Sequence, residues 1–296
     1  MRGSKLQGHL AGSETQTTKV SANILAPEAT ARGADGMAPG GGRSRLDWPA
    51  EAIRQSLSSL PGFTFEVLPE VDSTNSELMR RTRAGLVEPV LLVAERQHAG
   101  RGRLGRAWDS SVGDSLTFSV GLPLMPPDWS GLSLAVGVGL AESLDARIRL
   151  KWPNDLWLQD RKLAGILIET AATQLSPQAR YAVIGVGINL AERPPAGLST
   201  APAWLREVLP GCQPGEVLLR VAGPLVRAVQ EFERRGFAAF KSRFDALDLL
   251  RDRKVVLSDG TCGTGRGTTG LGGLQVQTAD GMKTVVSSEV SVRPAA

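Results

Sequence analysis

The stretch Gly100-Arg101-Gly102-Arg103-Leu104-Gly105-Arg106-Ala107-Trp108 combines the residue types that hold an anion. Glycines let backbone N–H groups come close to a ligand. Arginine is permanently charged and presents a planar fork of donors to carboxylate or phosphate. Trp108 adds a flat surface on which a ring can stack. The plain alternatives are a flexible basic hairpin or a disordered arginine–glycine segment that binds nucleic acid. Charge distribution weighs against the second. The chain carries 34 Lys and Arg against 30 Asp and Glu. Its excess of four equals Arg96, Arg101, Arg103 and Arg106, which stand in a run without acids. A duplex-binding face needs cations spread over a surface, whereas a focused cluster suits a small anion.

The next constellation is Lys151-Trp152-Pro153-Asn154-Asp155, followed by Arg161-Lys162-Leu163-Ala164-Gly165-Ile166-Leu167-Ile168-Glu169. Pro-Asn-Asp forms turns, and alone it reads as a hairpin. Lys162 opens an apolar strand, where its side chain can point into a cleft and bridge two anions. An attacking carboxylate and an attacked phosphate repel each other by several kcal/mol at an effective ε of roughly 20. Lysine and arginine offset that repulsion. Val71-Asp72-Ser73-Thr74-Asn75 reads as a helix cap at Thr74, with hydroxyls and an amide available to a polar ligand head. Gly185-Val186-Gly187-Ile188-Asn189 reads first as a crowded strand. Only His9 and His98 are present, which argues against a Ser-His-Asp triad or a histidine-ligated metal, and no P-loop occurs.

The elements that must position these residues follow from patterning. Residues 1–44, poor in large apolar side chains, read as a disordered tail, native or left over from cloning, with a transit peptide as the alternative. A helix is expected from Asp47 and Pro49 to about Leu60, a strand over 63–69, and a capping-box helix from Thr74 to about Arg83. Strands are expected over 89–95, 115–122, 163–170 and 182–190, and an apolar helix over 132–144. Helical periodicity runs from Gly215 to about Leu249, interrupted at Pro224 and Gly236. Short strands over 254–257, 274–278 and 283–286, with turns at Asp259-Gly260 and Asp280-Gly281, predict a small β-barrel from residue 251. The fold class is α+β, a mixed β-sheet flanked by helices with a small β-rich C-terminal domain. Cys212 and Cys262 read as free thiols in a reducing compartment. The absence of a long apolar run excludes a membrane span, and the expected location is cytoplasmic.

In this order the four segments resemble those of the biotin–protein ligases, over about residues 45–295. The resemblance implies a biotin- and ATP-binding catalytic domain over residues 45–250 and an SH3-like barrel over 251–296. It implies a two-step reaction with Mg²⁺: biotin and ATP give biotinyl-adenylate, and a lysine of a biotin carboxyl carrier domain accepts the biotin. Ser73, Thr74, Asn75 and Gln97 would hold the biotin head, with Gly102 in its wall. Arg101 and Arg103 would hold carboxylate and phosphate. Arg106, Trp108, Asn154 and Asn189 would serve the nucleotide, and Asn154 and Asn189 would also help hold its metal. Lys162 would touch both anions, and Asp155 would take a proton from the acceptor. No separate metal site is expected on the protein itself. Residues 1–44 lack the amphipathic helices of a helix-turn-helix, so no DNA binding is expected, and a homodimer is compatible with the reading. The rivals are a lipoate or octanoate ligase or transferase of the same fold, and a nucleic-acid-binding regulatory module.

Overall fold

The computed structural model describes residues 46–58, 62–173, 176–193, 201–286 and 292–294. The expected tail, residues 1–44, lies outside them. The chain opens with α1 (Ala50–Ser56), β1 (Thr64–Val71), α2 (Thr74–Arg83) and β2 (Val90–Gln97). It continues through β3 (Ser115–Leu124), α3 (Leu132–Leu144), β4 (Arg149–Lys151), β5 (Asp155–Leu158), β6 (Arg161–Ala172) and β7 (Arg180–Asn189). Two helices, α4 (Pro214–Arg235) and α5 (Lys241–Leu247), precede β8 (Lys254–Leu257), β9 (Cys262–Thr268), β10 (Leu274–Thr278), β11 (Gly281–Val285) and β12 (Val292–Pro294).

A seven-stranded sheet runs in the order β1-β2-β3-β7-β6-β5-β4. β1 and β2 are parallel across the α2 crossover, and the other neighbours are antiparallel. Alternation along the strands sorts their side chains. Leu91, Val93, Phe118, Val120, Ile184 and Val186 join the main core with α1, α3 and α4. On the opposite face Val90, Leu92, Tyr181 and Val183 pack with Leu78 of α2 in a smaller cluster. The rest of that second face is where the polar and glycine-rich segments lie. The mixed sheet flanked by helices is thus as expected.

The differences in detail have physical causes. α1 starts after Pro49, which itself occupies the N-cap without a side-chain bond, and ends at Ser56 rather than near Leu60. Ser73, not Thr74, caps α2, its hydroxyl accepting from Ser76 N–H at 3.4 Å. Glu77 is therefore one position too late for a capping box and pairs with Arg80 and Arg81 instead. Pro224 does not interrupt α4. The helix is held on both sides of it by packing, closely enough that a methyl on Gly139 of α3 would come within 3.3 Å of the Pro224 carbonyl oxygen. Gly236, at φ 65°, does end it.

The C-terminal strands form a five-stranded sheet ordered β11-β10-β9-β8-β12. The glycine-rich β9 (CGTGRGT) and the three-residue β12 carried no readable strand pattern. Among the described residues the edge strands β11 and β12 are not paired with each other, so the expected barrel is an open antiparallel sheet here. Val255, Leu257, Leu274 and Val276 belong to the main core, so this sheet is packed onto the rest. A hydrogen bond stitches it to the β4–β5 hairpin, Trp152 Nε1 donating to Gly272 O at 2.9 Å, and in the segment leading into the sheet Leu249 N–H donates to Leu150 O of β4 at 2.8 Å.

Asp248 sits at this junction. Its Oδ1 accepts from Leu250 N–H at 2.9 Å, while Oδ2 is enclosed with no partner among the described residues. Burial pushes its pKa up from the ordinary 3.8 to about 6. A carboxyl with a raised folded-state pKa binds its proton more tightly when folded, so stability falls as pH rises from about 4 to about 6 and stays lower above. Asp248→Asn keeps the oxygen that accepts from Leu250. It should therefore stabilise the protein by roughly 1–3 kcal/mol at pH 7.5 and by little near pH 4. Denaturant unfolding at the two pH values checks this; an equal effect at both would contradict it.

Candidate active site

Across β6 and β7, Gly165 stands opposite Gly187, and Leu167 opposite Gly185. The three glycines remove side chains from the sheet face beside and beneath the start of α2, and neighbouring groups use the space. A methyl on Gly187 would overlap the ring of Trp108, and one on Gly185 would overlap Asn75 Oδ1. A methyl on Gly165 would sit 3.3 Å from Lys162 Nζ and 3.6 Å from the Trp108 ring. These glycines carve a trough floored by backbone, and the bland reading of Gly185 and Gly187 as mere strand crowding is incomplete.

At one end of the trough the groups are uncharged and buried. Gln97 Oε1 accepts from Thr74 N–H at 2.8 Å and from the Thr74 hydroxyl at 3.1 Å. Ser119 Oγ lies 2.6 Å from Thr74 Oγ1 and 2.7 Å from Asn75 Oδ1, and its one proton can serve only one of them. Asn75 Nδ2 donates to Leu167 O at 3.2 Å and to Glu169 Oε2 at 2.9 Å. Ser73, Thr74, Asn75, Gln97 and Ser119 are all buried. Asp72, just outside, is held at a pKa of about 2 chiefly by its hydrogen bonds from Arg80.

The other end is charged. Lys162 Nζ lies 2.8 Å from Asp155 Oδ1 and 5.9 Å from the centre of the Trp108 ring. Residues 162 and 165 are three apart and would point to opposite faces of a regular strand. The pairing of β5 with β6 skips Leu163, matching Trp157 with Lys162 and Leu156 with Ala164. This bulge turns Lys162 to the trough side while Leu163 stays buried. Arg103 donates to Asn154 Oδ1 at 3.1 Å, and Asn154 Nδ2 donates to Ile166 O at 2.7 Å. Burial lowers the pKa of Arg103, Asp155 opposes that shift, and the nearby charge of Arg106 adds to it. Asn189 Nδ2 donates to Ala203 O at 3.1 Å and to Lys162 O at 3.5 Å, so its amide supports the backbone of Lys162.

The arginine loop lies over the trough as a small hairpin. Arg101 bridges to Ala107, Gly102 N–H donates to Arg106 O at 2.7 Å, and Trp108 N–H donates to Gly100 O at 2.9 Å. Leu104 takes the left-handed conformation at φ 57° within the turn and is exposed. Arg101 does not reach the Lys162 end: its guanidinium binds Glu169 at 2.9 and 3.1 Å. Arg106 is exposed, and Trp108 Nε1 is enclosed with no partner among the described residues.

The structure thus gathers Lys162, Asp155, Arg103, Asn154 and Trp108 at one end and Ser73, Thr74, Asn75 and Gln97 at the other. Ser119 and Glu169 were missed as site residues. Ser119 sits unmarked in an apolar strand, and the period-two spacing of Gly165, Leu167 and Glu169 is the signal that could have found Glu169. Gly187→Ala should drive Trp108 off the floor and raise its quenching by acrylamide, read against a Trp108→Phe control, with the unfolding midpoint shifted by only a few degrees. Unchanged quenching would mean that Trp108 does not rest on Gly187.

The family model described as biotin/lipoate A/B protein ligase family matches residues 67–189. The chain is 37% identical over 270 residues to the bifunctional ligase/repressor BirA of Escherichia coli, covering 87% of this chain and 83% of that one. It is 30% identical to a biotin–[acetyl-CoA-carboxylase] ligase of Paracoccus denitrificans, covering 76% of this chain and 98% of that one. Among solved structures, the biotin protein ligase of Aquifex aeolicus in complex with biotin and ATP superposes with a TM-score of 0.66 at 32% identity, covering 78% of this chain and 99% of that one. With both ends of the trough built from segments that fall within the matched region, the chain belongs to the biotin–protein ligases of the biotin/lipoate A/B protein ligase family.

Proposed function

We propose that this protein activates biotin with ATP and transfers it to a lysine of a biotin carboxyl carrier domain. The observation that carries the reading is the polarity of the trough: buried, uncharged hydrogen-bonding side chains at one end and Lys162, Arg103 and Asp155 at the other. A ureido ring, which both donates and accepts, suits Thr74, Asn75 and Gln97. An octanoyl or lipoyl chain has no donor or acceptor to offer there and forgoes the hydrogen bonds that a ureido ring can add.

In the first step a carboxylate oxygen of biotin attacks the α-phosphorus of ATP. The bond to the bridging oxygen of pyrophosphate breaks, and pyrophosphate leaves with the electron pair. Lys162 offsets the charge of both reacting anions, and Arg103, oriented by Asn154, adds a second cation at the phosphate. Arg101 reaches this end only by leaving Glu169. Trp108 offers its ring face and enclosed Nε1–H to the nucleotide, and Arg106 stands at the outer edge. Asn189 acts by fixing the backbone of Lys162. In the second step the acceptor amine attacks the carbonyl of the mixed anhydride, AMP departs, and Asp155 takes the proton once Lys162 has turned to the phosphate.

Among the described residues no cluster of three or more His, Cys, Asp or Glu forms a metal cage. The carboxamides of Asn154 and Asn189, whose Nδ2 groups are tied to the Ile166 and Ala203 carbonyls, supply hard oxygen donors that would suit a magnesium ion arriving on the phosphates, where it would neutralise part of their charge. We place the catalytic domain at residues 45–250 and the SH3-like unit from 251, the enzyme acting in the cytoplasm without a DNA-binding role. Among the described residues no helix is long and apolar enough to cross a membrane. Arg101 and Arg103 of the loop are engaged at the trough by Glu169 and Asn154, which favours the enzyme over a nucleic-acid-binding module.

Incubation with ATP, Mg²⁺ and biotin should release pyrophosphate, and octanoate in place of biotin should not. Release with octanoate alone would overturn the reading. Lys162→Ala should lower biotin-dependent release by about 10²–10³-fold while leaving the fold intact by circular dichroism, because it removes charge that matters most in the transition state. Full activity, or unfolding, would contradict its role.

A further inference from the structure

Glu169 holds three parts of the protein at once. It belongs to β6, accepts from Asn75 Nδ2 at 2.9 Å, and accepts from Arg101 of the loop hairpin at 2.9 and 3.1 Å. It lies seven residues along β6 from Lys162, about 23 Å of strand at roughly 3.3 Å per residue. The loop is pinned at its other side by Trp108, whose ring rests on Gly187 and Gly165. The hairpin therefore crosses the trough between two fixings, an aromatic one near the charged end and an ionic one at the polar end.

Asn75 links the ionic fixing to the groups beneath it. Ser119 lies within 2.7 Å of both Asn75 and Thr74, and Thr74 donates to Gln97. Gln97 Nε2 then lies 3.0 Å from where a Cβ on Gly100 would stand, at the base of the same hairpin. The polar network thus starts from the loop at Arg101 and runs to Gln97, which packs beside the hairpin's base at Gly100. We infer that Glu169 is a positioning residue that straps the hairpin over the polar end of the trough through Arg101, so that the polar end of a bound substrate is enclosed by the loop that Glu169 fastens. The strap is built to open. Arg101 and Glu169 side chains are 44% and 26% exposed, and ion pairs this accessible to water are weak.

The identity of the substrate rests on the biotin reading; the strap does not, and the test separates them. Glu169→Gln keeps an oxygen for Asn75 and removes the charge that holds Arg101. In the ligand-free protein, trypsin should then cut after Arg103 and Arg106 about two- to fivefold faster, with an unchanged unfolding midpoint. Arg101→Gln should do the same, and combining the two should add nothing further, since they break one interaction. In biotin-dependent pyrophosphate release, Glu169→Gln should raise KM for biotin severalfold, with a smaller change in kcat, because Lys162 and Asp155 stand on β6 and β5, outside the hairpin that is loosened. Cleavage at the parental rate, or additive effects in the double variant, would overturn the strap. So would a loss confined to kcat. Failure of the parent to use biotin would defeat the proposed substrate, while the cleavage rates would still judge the strap.

Discussion

Two strands that face each other without side chains are the constraint on which this site depends. Where Gly165 meets Gly187, the sheet presents bare backbone on the face beside the start of α2. Trp108 can lie flat there, and Lys162 can fold back over it, only because nothing projects from the floor. The same two strands carry apolar side chains on their other face, Ile166 and Val186 among them, which anchor the sheet to the helical layer. Alternation of period two thus divides one pair of strands between stability and chemistry.

Electrostatics explains why the site is built in pairs. Lys162 stands on Asp155, Arg101 on Glu169, and Arg103 on the Asn154 carbonyl. Three uncompensated cations around one trough would repel one another. Parked on partners near the surface, they are held in place by interactions weak enough to exchange for a carboxylate or phosphate. The polar end follows the opposite rule. Thr74, Asn75, Gln97 and Ser119 are buried, and each already has hydrogen-bonding neighbours, which fixes their geometry before any ligand arrives.

Much of this was legible in the sequence. The strands β2, β3, β6 and β7 and the helix α3 stand close to where periodicity puts them, and the arginine loop and Lys162 announce themselves by charge in an apolar setting. What could not be read depends on register and packing. The bulge at Leu163 that turns Lys162 toward the trough has no marker in Arg161-Lys162-Leu163-Ala164, since each residue suits a regular strand equally well. Thr74 looked like a cap because it precedes Asn75-Ser76-Glu77, but the helix starts one residue earlier and frees its hydroxyl for Gln97. Arg101 looked equivalent to Arg103, yet the hairpin sends the two side chains to opposite ends. β9 was hidden because its glycines carry no apolar alternation; contact with Leu250 and Val276 leaves no room for larger side chains there.

The bond from Trp152 to Gly272 reaches further than its position suggests. Trp152 begins the short turn that ends in Asn154 and Asp155, so the last quarter of the chain grips the very hairpin that carries them. The C-terminal sheet is therefore a buttress for the charged end of the trough and not a detachable appendage. Disturbance of the loop around Gly272, by insertion, truncation or fusion, would travel through one indole to the residues that meet the nucleotide, and an enzyme shortened to its larger sheet would lose that aim together with the share of the core that Val255, Leu257, Leu274 and Val276 supply.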